Sequence, residues 1–250
     1  MLPDTRPGGC EAGHPGASRR YDLRMTETLP TGTQAAQSAD TLELLGLVAQ
    51  LELVAFARLA ADAALAPTLA QRLQLTRFAA TSVERRDRVL TRIGELGGDP
   101  EAVLGSFAHV LDDFDARTAP STWWERLLTA YVGYGVADDF CRHAAASLDE
   151  GSRALVLDVL GDVGHTELAV AELDVARADD EVLVSRLALW GRRLVGEALG
   201  VVQSLLATRP GLARLAAAAD GAQGGDGSAR LFGELTAQHT RRMGRLGLTA

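Results

Sequence analysis

Six side chains in this sequence have the types and spacings to hold metal ions. Asp162 and His165 lie three apart in GDVGHTELAV, so on a helix they share one face. Glu84 and Asp87 repeat that spacing in SVERRD. Glu52 falls inside an apolar stripe of Leu45, Val48, Ala55 and Leu59, where another apolar residue is expected. Asp139 continues a stripe of Leu128, Val132 and Val136. Its neighbour Asp138 competes for that place, since only one of two adjacent residues points fully inward on a regular helix.

Glu52, Glu84, Asp87, Asp139 and Asp162 thus approach one axis, with His165 as the neutral member. Burying five carboxylates together is severely unfavourable without counter-charge. Arg77 and Arg142 border the inner faces without falling cleanly on them. Two divalent or trivalent metal ions are therefore the expected compensation. Oxygen and imidazole ligation with open positions suits non-haem iron, with manganese close behind.

The elements that must position these groups read as helices. The apolar share is 47% and the aromatic share only 5%, and Ala and Leu lose little on entering a helix. Asp40 and Glu43 read as a capping box that opens a first helix, from about 41 to 65. A second runs from about 68 to 96, and a short one covers roughly 101 to 113. Long helices follow over about 122–147, 150–178 and 180–209, and a last one over about 228–245, after the glycine-rich DGAQGGDGS. Long helices with short connections predict an all-α, four-helix bundle carrying additional C-terminal helices. Residues 1–39, rich in Pro, Gly, Ser and Thr, read as a disordered tail before a helical domain over 40–250. A start at Met25 is an alternative.

The 25 basic residues are all Arg, and the net charge is −8. That balance disfavours broad nucleic-acid binding, although Arg192, Arg193 and HTRRMGR offer local phosphate contacts. Cys10 and Cys141 make no disulfide framework. No run of 18 uninterrupted apolar residues and no signal-peptide pattern is present. The expectation is a cytoplasmic protein that does not engage a membrane. Nucleotide loops, Cys-x-x-Cys pairs and nucleophile elbows are absent from the sequence.

The segments LELVAFARLA, SVERRD, YVGYGVADDF, GDVGHTE and LFGELTAQHTRRMGRLGL give the chain a resemblance to the ferritin-like di-metal carboxylate superfamily. More closely, it resembles an actinobacterial branch related to the tRNA-(2-methylthio-isopentenyl adenosine) hydroxylases. The resemblance implies a di-iron centre with Glu52 and Glu84 as the first two acids, Asp139 as the third, and Asp162-x-x-His165 as the last pair. Asp87 stands where the pattern has His. It further implies an oxygen-dependent hydroxylase that needs an external electron donor and acts on a small molecule or a modified tRNA base. The competing reading is a non-catalytic ferritin-like scaffold or dimerisation module with a degenerate metal site. In that reading the helix carrying Leu187, Leu194, Val201 and Leu205 covers the bundle or builds a homodimer.

Overall fold

The computed structural model describes residues 32–161, 164–178, 180–221 and 226–250. Among these there is no β-strand, and the all-α expectation holds. Helices α1 (Gly32–Leu65) and α2 (Leu69–Glu95) form a long hairpin. Pro67 interrupts the first helix, and Thr68 with Gln71 builds a reciprocal capping box that starts the second. Gly97, at φ 79°, follows α2 in the left-handed conformation that favours glycine. Two short helices follow, α3 (Pro100–Gly105) and α4 (Asp112–Arg117), in place of the single one expected over 101–113. Gly46 lets α3 approach α1, since a Cβ there would stand 2.7 Å from Val103.

Helix α5 (Trp123–Leu128), a π-helical turn (Thr129–Gly133) and α6 (Tyr134–Ala145) run on without a break. The helix expected over 150–178 is instead two, α7 (Glu150–Val159) and α8 (Gly164–Arg177), parted near the Gly161–Gly164 pair. These four columns, α1, α2, α5–α6 and α7–α8, enclose the bundle interior, with α9 (Glu181–Thr208) packed beside the π turn.

Two further helices complete the core. Helix α10 (Pro210–Ala219), read in the sequence as part of a connection, packs on α1 and α6. Asp40 and Glu43 serve this helix rather than the start of α1. Arg214 pairs with Asp40, and Glu43 accepts from the Leu212 N–H in the first turn of α10. Helix α11 (Asp226–Arg245) buries Leu231, Leu235 and Met243 against the main core.

Helix α1 begins at Gly32, well before Asp40, while residues 1–31 of the expected tail lie outside the described residues. Its Ala35–Leu65 portion is long and apolar enough to cross a membrane, with mean hydropathy 1.7, and half of that window is buried inside the bundle.

Candidate functional site

Glu52 is buried at 6% exposure, at the end of a run of core residues from Leu44 to Leu51. Facing it from α2 are Ser82 and Arg85. The other column contributes Ala130, Tyr134 and Asp138 at steps of four, and His165 comes from the first turn of α8. Together they line a cavity of about 70 Å³. Its apolar wall includes Leu51, Leu59, Phe78, Val159 and Leu160.

The electrostatics of this cavity follow from burial. Removal from water pushes the Glu52 carboxyl up to about 7; Arg85 opposes the shift and Asp138 adds to it. The Arg85 guanidinium stands 3.7 Å from Glu52 Oε2, and polar contact with Ser82 and Arg85 also works against the rise. Burial likewise raises Asp138 to about 6, with Arg142 and Arg242 pulling against it. The His165 ring is driven down to about 4, first by burial and then by Arg85, against a hydrogen bond to the Ala130 backbone. It is therefore neutral at pH 7. Ala130 lies in the π turn, a device that often reshapes helices at functional sites.

Further along α1, Arg58 pairs with Asp115 at 2.5 Å and stacks 4.4 Å over the Tyr134 ring. Tyr134 donates to the same Asp115 carboxylate at 3.1 Å, and burial raises its own pKa. Asp62 is buried and bonded to Arg126 at 2.8 Å.

Of the five candidate ligands among the described residues, the cavity draws in two, Glu52 and His165. Glu84 is exposed, and so is Asp87, which binds Arg86 at 2.7 Å. The inward face of α2 is instead formed by Leu75, Ala79, Ser82, Val89 and Ile93, which are buried, while Leu69 and Leu73 are exposed, so the expected approach of Glu84 and Asp87 to the axis is corrected. Asp139 is corrected in favour of Asp138. It turns towards α11, where Arg242 binds it at 2.6 Å, and Arg142 approaches at 3.4 Å. Asp162 lies outside the described residues.

Ser82 and Arg85 escaped the sequence reading, although they too stand three apart and lie between the buried positions Ala79 and Val89. The assumption that no arginine falls on an inner face is overturned by Arg85.

Among the described residues, no group of three or more His, Cys, Asp or Glu side chains is arranged to hold a metal ion. The donor set among the described residues fits a di-metal centre poorly. Helix α2 offers a neutral hydroxyl and a guanidinium where it would have to contribute ligands, and that guanidinium would repel a metal cation.

The profile of a ferritin-like domain of actinomycetes matches residues 36–219. No curated protein matches the chain.

Proposed function

The chain belongs to the ferritin-like domain family of actinomycetes, and on that premise we propose that it is a metal-independent member, a non-catalytic helical binding module rather than a di-iron hydroxylase. The observation that carries this reading is Arg85, which faces Glu52 from the side of the bundle where α2 would have to supply ligands.

The charge balance supports it. Glu52, Asp138 and Asp139 bring three carboxylates to the interior, and Arg85, Arg142 and Arg242 bring three guanidiniums to the same groups. Buried charges need compensation of some kind. Here arginines supply it, and an arginine stays protonated at any working pH. Such a site keeps its charge but has no Lewis acid with which to activate oxygen.

A second reading, a metal-dependent hydroxylase acting on a small molecule or tRNA base with an external electron donor, draws on Glu52, Asp138 and His165 lining one cavity. Metal loading separates the two. Purified protein is incubated anaerobically with ferrous or manganous ion, desalted and analysed for metal. The expected result is metal far below one equivalent per chain. Stoichiometric metal that survives desalting and is lost on Glu52→Ala would overturn the metal-independent reading.

A further inference from the structure

We propose that the outer face of the α1–α2 hairpin docks a second copy of this chain, joined antiparallel about a two-fold axis. The proposal goes beyond the reading of the cavity and holds whether or not that cavity takes metal.

The first argument is a helix seam that loses its cover halfway. Gly46, Gln50, Leu53, Ala57, Ala60 and Ala64 recur along α1 at alternating steps of four and three, the spacing by which one helix packs along another. At its start the seam is covered. A Cβ on Gly46 would meet Val103 and Phe107, and the Gln50 amide donates to the Ala108 carbonyl at 3.5 Å. Past Leu53 the seam opens: Ala57, Ala60 and Ala64 are exposed, with Phe56 at 38%. On α2, packed along α1, Leu69, Leu73, Thr76 and Ala80 make a second exposed stripe. The charged residues of α1 over 53–65 are Arg58 and Asp62, which are paired to Asp115 and Arg126. The face is therefore apolar and uncharged along α1, the mark of an interaction surface.

The second argument is shape. A two-fold interface joins a surface to itself, so it must be self-complementary. Leu65 and Leu69 flank the hairpin turn, and Glu52 contacts Ser82 further along, which sets Arg58 level with Thr76. An axis crossing both helices at that level places Phe56 of one copy against Ala60 of the other. It also places Leu53 against Ala64 and Leu73 against Ala80. Each pair sets a large side chain on a small one, and all three share one axis. A lipid surface would require no such match.

Area and charge agree with a second copy. With Arg72 and Arg77 as its polar rim, the exposed face amounts to roughly 600 Å² per copy, the low end of what a stable dimer buries. Arg77 stands off the Leu73–Ala80 line, where solvent and salt screen it from its own copy. Leu187, Leu194 and Leu205 of α9 are buried in the core, so that helix covers the bundle and leaves the contact to the hairpin.

The test is sedimentation velocity of the full chain at rising micromolar concentration. A dimer should form. Leu73→Glu and Ala60→Phe should each weaken it by about tenfold or more. Combining Phe56→Ala with Ala60→Phe exchanges large and small across the axis and should restore most of the affinity. Circular dichroism checks that the variants are folded. A monomer at every concentration, a dimer indifferent to either single variant, or a swap no better than Ala60→Phe alone overturns the proposal. So does a monomer that cosediments with phosphatidylcholine vesicles, which would give the face to lipid instead.

Discussion

The guanidinium of Arg85, on α2, lies 3.7 Å from the buried carboxylate of Glu52, on α1. The two side chains are 14% and 7% exposed, so little solvent screens them. A pair this buried is not a net source of stability by default, yet losing one partner strands the other.

Arg85→Met should therefore destabilise the protein by roughly 3 kcal/mol at pH 8. The deficit should shrink at pH 5, where Glu52 is protonated and no longer needs a counter-charge. Urea unfolding at the two pH values reads this directly. An equal loss at both would mean that packing, not charge, sets the effect.

The pH dependence of stability has opposing contributions. Glu52 is raised from 4.5 to about 7 and Asp138 from 3.8 to about 6. A raised carboxyl holds its proton more tightly in the folded state, so it favours folding on the acid side and loses that contribution as pH rises through the folded value. His165 and His239, both lowered from 6.5 to about 4, act in reverse. Their contribution is complete above pH 6.5 and fades as pH falls towards 4. Glu52→Gln should flatten the decline between pH 5 and 7 and add on the order of 2–3 kcal/mol at pH 8. Thermal melts across that range check the slope, and an unchanged profile would count against the burial argument.

Arg242 reaches Asp139 by crossing Gly135, where a Cβ would stand 2.6 Å from its Nε. Arg242→Met should cost roughly 3 kcal/mol, because Asp139 would then keep only the longer contact to Arg142. Asp139→Asn combined with Arg242→Met should lose less than the two single losses added together. Strict additivity in denaturant unfolding would refute the coupling.

Ser82→Glu together with Arg85→His would place a Glu-x-x-His pair opposite Glu52, Asp138 and His165. This double variant should retain iron or manganese through desalting, while the wild type and Ser82→Glu alone should not. Elemental analysis decides it, and failure of a folded double variant to retain metal would show that more than α2 has departed from a metal-binding arrangement.

The bundle was legible because long Ala- and Leu-rich stretches alternate with short Pro- and Gly-marked connections. Glu52 was legible for a related reason: an acid at the end of so apolar a run is conspicuous, and Leu44 to Leu51 are indeed core. On α2 the same logic misled. Leu69 and Leu73 are 68% and 50% exposed, whereas Gln71 and Ser82 are buried, so hydrophobicity did not mark the inward face. The column from Leu127 to Val136 is buried nearly all round, which leaves no single stripe from which to choose between Asp138 and Asp139. The engagement of Asp40 and Glu43 with α10 joins residues far apart in the chain, and no local pattern announces it.

The wide turn at Thr129–Gly133 makes the roles of the two neighbouring aspartates hang on a single residue of chain length. Each residue advances an α-helix by about 100°. Excising one residue from that turn would draw Asp139 into the slot now held by Asp138 and carry Phe140 round to Arg242. A lone codon deletion here would thus exchange a cavity-lining acid for a tethering one, and leave an aromatic ring where α11 is fastened.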